Sequence, residues 1–121
     1  MKLKKLKKLF DRREKVLAKS RQSRVYPGGS FLTPNTIIVT NKRVLIINPS
    51  KLGLHKKIES YPFSRIFSVQ LFNGIFTSKI ILKIPGVTEN QKPEEAEISA
   101  LPKHEAREIF NIIQEKIRRP L

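Results

Sequence analysis

Histidine is the side chain best suited to proton transfer near neutral pH, and this sequence contains two of them. His104 and Glu108 are four residues apart, and on a helix that spacing places both on one face, where they could bind a metal ion. No third ligand is evident, so we interpret the pair as part of a solvated helix face. His55 lies in a basic stretch whose nearest carboxylate is Glu59, which favours a surface histidine over a general base.

Other catalytic arrangements find little support in the residues. The chain has no cysteine, which excludes thiol nucleophiles and thiolate metal sites. Pro27-Gly28-Gly29 precedes a predicted strand, whereas a phosphate-binding glycine loop precedes a helix. No nucleophile, base and carboxylate can be grouped from the pattern. The sequence therefore predicts a binding module, without enzymatic activity, metal or cofactor.

Charge is the strongest feature of the composition. Among 121 residues there are 25 Lys and Arg against 10 Asp and Glu, a formal net charge of +15. Residues 1–24 carry +9 of this, with 11 basic side chains against Asp11 and Glu14. Such a basic tract indicates an anionic partner, either phospholipid head groups or nucleic acid. The alternative is the lysine-rich, cysteine-free composition that hyperthermophilic proteins favour.

Residues 2–18 combine good helix formers with apolar residues at helical spacing, which predicts an amphipathic basic helix. Arg13 projects into the middle of the apolar stripe, where a half-exposed surface suits a guanidinium better than a dry core. We therefore expect an interfacial helix. Its predicted binding residues are Lys2, Lys4, Lys5, Lys7, Lys8, Arg12 and Arg13, with the apolar Leu3, Leu6 and Phe10.

The rest of the chain has the two-residue period of β-strands. Strands are predicted at residues 21–26, 36–40, 43–47, 56–60, 66–72, 76–84 and 97–100, the last of them after an acidic loop from residue 87. Asn41-Lys42 and Asn73-Gly74 predict hairpin turns, and Pro62 predicts a break. A helix is expected to begin near Pro102 and to present Ala106, Ile109, Phe110, Ile113 and Ile117 on one face. Seven short antiparallel strands of this kind are expected to close on themselves, with the last helix covering one end.

Several segments of the chain occur in an order that is found in one known family. They are Val25-Tyr26-Pro27-Gly28-Gly29-Ser30, the hairpin from Thr40-Asn41-Lys42-Arg43 to Ile46, residues 66–71, Gly74-Ile75-Phe76 and the closing helix. Together they resemble the prokaryotic pleckstrin-homology-like (bacterial PH) domains. The resemblance covers roughly residues 20–119 and implies a mainly β, seven-stranded antiparallel barrel or sandwich capped by a C-terminal helix. Eukaryotic relatives grip inositol phosphates with a lysine/arginine signature in the loop after the first strand. That signature is missing here, so the resemblance does not carry phosphoinositide binding to this chain.

These features predict two parts, a basic arm at residues 1–19 and a PH-like domain at residues 20–121. The first functional hypothesis is peripheral attachment of a cytoplasmic protein to the anionic inner face of the membrane through the arm. The cytoplasm is favoured because the chain has no cysteine and because lysines interrupt the leucines of residues 2–8, which leaves no continuous apolar stretch of the kind that a signal peptide needs. The alternative is a protein scaffold or a homo-oligomer using the same helix and the sheet. Nucleic-acid binding ranks third, because Phe10 and Tyr26 are the only aromatics in the first 30 residues.

The strands also offer a secondary basic patch, which we assign to Lys42, Arg43, Lys56 and Lys57. Lys79 and Lys83 are expected to be exposed on the sheet as well. The same lysines have a plainer interpretation, since lysines on edge strands discourage aggregation.

Overall fold

A computed structural model describes residues 10–23, 34–50, 55–86, 90 and 92–118. Within these ranges the chain forms seven β-strands, a short 3-10 helix at Phe63–Arg65 and one α-helix. The strands are β1 (Val16–Arg21), β2 (Thr36–Thr40), β3 (Arg43–Ser50), β4 (His55–Pro62), β5 (Ser68–Asn73), β6 (Thr77–Ile84) and β7 (Glu94–Pro102), and the helix is α1 (Lys103–Arg118). No helix in the described part of the chain is long and apolar enough to cross a membrane.

The strands form two antiparallel sheets, and within each sheet every strand pairs with the strand that follows it in the sequence. The first sheet has the order β1-β2-β3-β4 and the second the order β5-β6-β7. The predicted closed barrel is wrong for the described strands, because no ladder joins one sheet to the other. Pro62 and the 3-10 helix separate β4 from β5, and proline has no N–H to continue a ladder. The two predicted hairpins, β2–β3 and β5–β6, are confirmed.

The predicted N-terminal helix is wrong over residues 10–18, and residues 1–9 lie outside the described ranges. Residues 11–14 form a turn closed by a hydrogen bond from Glu14 N to Asp11 O (3.0 Å), and β1 begins at Val16, five residues before the predicted strand. Val16 and Leu17 fit both the helical and the strand period. Pairing with the β-branched strand β2 decides between them, since strand preference depends on neighbours more than helix preference does.

The core lies between the two sheets and one face of α1. The inward side chains of β6 are Ile80, Leu82 and Ile84, all at most 2% exposed. Ala106, Ile109 and Ile113 of α1 are fully buried against them and Ile117 packs on the same core, which confirms these four positions of the predicted face, while Phe110 is only half-buried. Each such isoleucine or leucine contributes roughly 1.5–3 kcal/mol through burial. The helix therefore covers one open side of the sandwich.

A β-bulge in β7 brings the second sheet to the end of β1. Between the pairs Ser78↔Leu101 and Ile80↔Ile98, β7 holds one residue more than β6. Ala100 lies in this bulge with φ of 57°, and its carbonyl accepts a hydrogen bond from Ser23 N at 2.7 Å. A left-handed conformation costs a residue with a Cβ about 1 kcal/mol, so the contact between the sheets stabilises a locally strained residue.

Two predictions about the second sheet need correction. Strand β7 begins at Glu94, three residues before the predicted Glu97, because outward glutamates alternate there with the inward Ala96 and Ile98. Lys79 and Lys83 lie on β6, which is flanked by β5 and β7, so they are not edge-strand lysines. Lys79 pairs instead with Glu97 across the sheet surface at 3.4 Å.

Candidate functional site

The structure divides the predicted binding residues that it describes among three places. Lys2, Leu3, Lys4, Lys5, Leu6, Lys7 and Lys8 lie outside the described residues. Phe10, Arg12 and Arg13 belong to the segment before β1, residues 10–15, which we call the arm root. Lys42 and Arg43 lie at the β2–β3 turn, and Lys56 and Lys57 lie at the start of β4. The best candidate site is where the arm root meets the β2–β3 turn, because these two segments are in direct contact.

Asn41 joins the two segments by three hydrogen bonds. Its backbone N donates to Lys15 O at 3.0 Å, and its side-chain Oδ1 accepts from Lys15 N at 2.8 Å. Its Nδ2 donates to Arg13 O at 3.2 Å. An asparagine side chain offers a donor and an acceptor at once, which is what a passing backbone segment needs. The arm root is therefore fixed to the turn through its backbone, and the side chains of Arg12, Arg13 and Lys15 stay exposed.

Glu14 makes a second connection, in which a carboxylate is buried with all of its partners. Its side chain is 0% exposed. Oε2 accepts from Arg43 Nε at 2.9 Å and from Thr40 Oγ1 at 2.6 Å, and Oε1 accepts from Arg43 Nη2 at 3.0 Å. Asp11 N donates to Oε1 as well, at 3.1 Å. The bidentate contact with a guanidinium is the strongest form of such a pair.

These partners decide the protonation of Glu14. Burial alone would raise the pKa of Glu14, but the hydrogen bonds from Arg43, Thr40 and Asp11 N, together with the charge of Arg43, hold the pKa below its ordinary value. The carboxylate is therefore ionised at neutral pH and balances the charge of Arg43. Thr40 Oγ1 also accepts from the backbone N of Lys42 and of Arg43, each at 3.1 Å, which closes the turn. We call Glu14, Thr40, Asn41 and Arg43 the clamp.

The predicted secondary basic patch does not form one surface. In the β3–β4 ladder Arg43 pairs with Pro62, whereas Lys56 pairs with Pro49, six residues further along β3. At 3.3 Å per residue the two ends are about 20 Å apart. Arg43 is committed to Glu14, and it also donates to Ser60 Oγ at 3.1 Å. Lys57 lies 3.8 Å from Glu59, with its own side chain 74% exposed, a pair of the kind that contributes little.

The clamp leaves a positive surface at the arm root. Arg12, Arg13 and Lys15 are exposed, and Lys42 is exposed beside Asp11, with Nζ and Oδ2 3.4 Å apart. An exposed pair at that distance is weak and does not remove Lys42 from solvent. Arm root and turn together carry five basic side chains against two carboxylates, a net +3. Five further lysines precede this surface in the sequence, all within residues 2–8.

Phe10 is directed toward the domain. It packs against Ile38, Leu45 and Ile47, an apolar cluster of which no member is more than 3% exposed. These three side chains alternate with the core residues of β2 and β3, so they lie on the outer face of the first sheet. The aromatic that the sequence assigned to a partner or membrane therefore has an intramolecular contact, as has Val16 beside it.

A second polar cluster lies on β4. The Tyr61 hydroxyl donates to Glu59 Oε2, and Asn48 Nδ2 donates to Glu59 Oε1 at 3.0 Å. Burial, together with the hydrogen bond and negative charge of Glu59 and the nearby Glu94, raises the pKa of Tyr61. The phenol therefore stays protonated and acts as a hydrogen-bond donor. Its role in this arrangement is to satisfy a half-buried carboxylate at the edge of the first sheet.

His104 and Glu108 are both exposed on α1. Within the residues that the structure describes, no three His, Asp or Glu side chains come close enough together to hold a metal ion. Glu105, on the same turn, accepts from the buried Ser20 Oγ at 2.6 Å and so links α1 to β1. The first turn of this helix thus has a structural contact with the first sheet.

The sequence predicts the β2–β3 turn but not the contacts that its residues make. Asn41-Lys42 predicts the turn, while Arg43 is assigned to a surface patch and its partner Glu14 is counted only as a charge in a basic tract. One feature of the sequence points to Glu14, because a carboxylate within a run of basic residues is a candidate partner for a specific cation. Neither the distance in sequence, 29 residues from Glu14 to Arg43, nor their periodicity indicates the contact.

Comparison with known proteins agrees with this architecture. The family model described as bacterial PH domain matches residues 10–115, which includes the arm root and all seven strands. Among solved structures, a DUF1696 family protein with a pleckstrin-homology domain from Shewanella loihica PV-4 is similar, with a TM-score of 0.54 and 14% sequence identity. The match covers 95% of this chain and 86% of that one, and at this identity it shows the fold alone. A search of curated proteins found no significant match.

Proposed function

The chain belongs to the bacterial PH domain family, and from that premise we propose that it is a non-catalytic module that attaches to anionic membrane surfaces through its basic N-terminal arm. The family relation supports a binding module, while the choice of membrane is our inference from the arm root. The attachment would be peripheral, since it relies on cations at the surface of the arm.

The observation that carries the proposal is the clamp. It fixes the backbone of residues 11–15 through Asn41 and Glu14, and leaves Arg12, Arg13 and Lys15 exposed. A cation held on a rigid support loses less freedom on binding than one on a free tail. Each Lys or Arg close to an anionic leaflet contributes roughly 1 kcal/mol. The five lysines of residues 2–8 with Arg12 and Arg13 then give at most roughly 7 kcal/mol, a dissociation constant on the order of 10 µM.

A membrane surface suits this arrangement better than single-stranded nucleic acid does. Binding of single strands without sequence preference relies on aromatic side chains that stack on bases between the cations. Phe10, the one aromatic of the arm, packs on the first sheet. Anionic lipid head groups need no stacking partner, only a positive surface. The geometry at the arm root therefore fits head groups and offers no platform for bases.

Co-sedimentation with lipid vesicles tests the proposal. The protein should bind phosphatidylcholine vesicles that contain phosphatidylglycerol, should ignore pure phosphatidylcholine, and should be released as salt rises. Neutralising two cations, Arg12→Gln with Arg13→Gln, should weaken binding by roughly 2 kcal/mol, about thirty-fold. The matched control is Lys56→Gln with Lys57→Gln, which changes the net charge equally at the far end of β4. Absence of binding at low salt contradicts the proposal, and so does an equal loss in both double variants.

A further inference from the structure

The β5–β6 hairpin carries an exposed apolar tip that neither the core nor the proposed basic site uses. Six large apolar side chains of the described residues are exposed, and three of them belong to this hairpin. Ile75 is 85% exposed, Phe76 63% and Phe72 48%. We call these three residues the tip. All three lie within five residues at the closed end of the hairpin, since Phe72 is the second-last residue of β5 and Ile75 and Phe76 belong to the three-residue connection to β6.

The tip is held in a defined turn. Gly74 N donates to Thr77 O at 2.8 Å, and Ser78 Oγ donates to Asn73 Oδ1 at 2.7 Å. A Cβ on Gly74 would lie 2.9 Å from Thr77 O, so the chain approaches itself too closely for any other residue to fit without movement. Exposed apolar side chains on a turn fixed in this way are presented to an external partner at little further cost in conformational entropy.

The size and shape of the tip decide which partner it fits. A specific protein interface buries about 800 Å² on each side, and three side chains on a protruding hairpin cannot supply that area. A lipid interface accepts a few apolar side chains as a wedge between head groups, and lysines beside them extend to the phosphates. Lysines flank this tip: Lys79 Nζ lies 5.0 Å from the centre of the Phe72 ring, and Lys103 follows Pro102, the partner of Thr77 in the sheet.

We propose that the tip formed by Phe72, Ile75 and Phe76 inserts into the interfacial region of the bilayer, with Lys79 and Lys103 at its border. This inference rests on the proposed membrane function and extends it, since the basic arm accounts for the attraction to anionic lipid and the tip for insertion. The two contributions differ in their response to salt. Electrostatic attraction is screened by salt, whereas burial of apolar side chains is not.

Fluorescence of an introduced tryptophan tests the insertion directly. The protein has no tryptophan, so Ile75→Trp creates a single reporter at the tip. Phe67→Trp is the matched control, because Phe67 is 76% exposed and lies before β5, six residues from Asn73 and so about 20 Å away. With vesicles of phosphatidylglycerol and phosphatidylcholine, we expect the emission of the Ile75→Trp variant to move to shorter wavelength and that of the control to stay unchanged.

A pair of binding variants completes the test. Ile75→Ser combined with Phe76→Ser, the double-serine variant, should weaken vesicle binding roughly ten- to a hundred-fold, and Phe67→Ser should leave it unchanged. Circular dichroism should show that both variants remain folded, since all three replaced side chains are exposed.

Four outcomes would contradict the inference. Vesicle binding without an emission shift, or with full affinity in the double-serine variant, overturns the insertion and leaves the arm-based proposal standing. No vesicle binding by the unmodified protein overturns both. A dimer in solution that the double-serine substitution dissociates would assign the tip to a second copy of the chain and overturn the inference.

Discussion

Replacing Glu14 by glutamine removes the charge at the centre of the clamp and keeps the shape of the side chain. Breaking a buried ion pair by removing one partner costs about 3–5 kcal/mol when both groups are buried. Here the Glu14 side chain is fully buried, but Arg43 is 24% exposed and can regain water. Glutamine also keeps one acceptor oxygen for Thr40 or Asp11 N. We therefore expect a loss of about 2–3 kcal/mol in the free energy of unfolding, below the range for a pair buried on both sides.

The expected change is large enough to measure by thermal unfolding. An unfolding entropy of about 2.1 cal/mol/K per residue gives about 0.25 kcal/mol/K for 121 residues, so the Tm should fall by about 8–12 °C. Urea unfolding should show a lower midpoint at an unchanged slope. Glu108→Gln, an exposed glutamate on α1, is the control and should change stability by less than about 0.5 kcal/mol.

A double-mutant cycle attributes the loss to the pair. Arg43→Gln alone should also destabilise, and the double variant should cost clearly less than the sum of the two, with a coupling energy of about 1.5 kcal/mol or more. If Glu14→Gln costs less than about 1 kcal/mol, or if the two losses simply add, the clamp does not depend on this ion pair and the reasoning fails.

Two further predictions concern pH and backbone strain. Because the folded-state pKa of Glu14 lies below its ordinary 4.5, the ion pair stabilises the protein above that pH, and this contribution is lost as pH falls through the lowered folded-state pKa. Urea midpoints measured down to about pH 3 should therefore fall more steeply for the unmodified protein than for Glu14→Gln. Parallel curves for the two proteins would contradict this. At the bulge, where Ala100 has φ of 57°, Ala100→Gly should be neutral or stabilising by up to about 1 kcal/mol, whereas Ala100→Val should destabilise the protein by about 2 kcal/mol or more. Urea unfolding measures both changes, and equal effects of the two substitutions would show that Ala100 is not strained.

Much of the fold was accessible from the sequence because it is encoded locally. The β-branched run at Thr36–Thr40, the turn at Asn41-Lys42 and the apolar positions of α1 each indicate their structure within a few residues. The start of β1 was not accessible, since residues 10–18 satisfy a helical pattern and only pairing with β2 selects the strand. The bulge at Ala100 likewise depends on contact with Ser23, far away in the sequence.

The candidate site was only partly predictable, for a related reason. The basic residues Arg12 and Arg13 can be identified as candidate binding residues from the charge of the N-terminal tract, and the structure leaves them exposed at the arm root. Whether a cation is available or balanced depends on contacts across the fold, and the structure pairs Arg43 with Glu14 instead of leaving it on a surface patch. Ile75 and Phe76 of the tip stand out in the sequence only within the Gly74-Ile75-Phe76 segment of the family resemblance, because a hydrophobic residue in a hairpin does not indicate which way it faces.

Vesicle binding of the arm-root variant is the most direct test of membrane attachment through the basic arm. The comparison is between the unmodified protein, Arg12→Gln with Arg13→Gln, and Lys56→Gln with Lys57→Gln, on vesicles with and without phosphatidylglycerol at low salt. We expect anionic-lipid binding that falls about thirty-fold in the arm-root variant and little in the β4 variant. An unmodified protein that stays in the supernatant with anionic vesicles, or two variants that lose affinity equally, would contradict it.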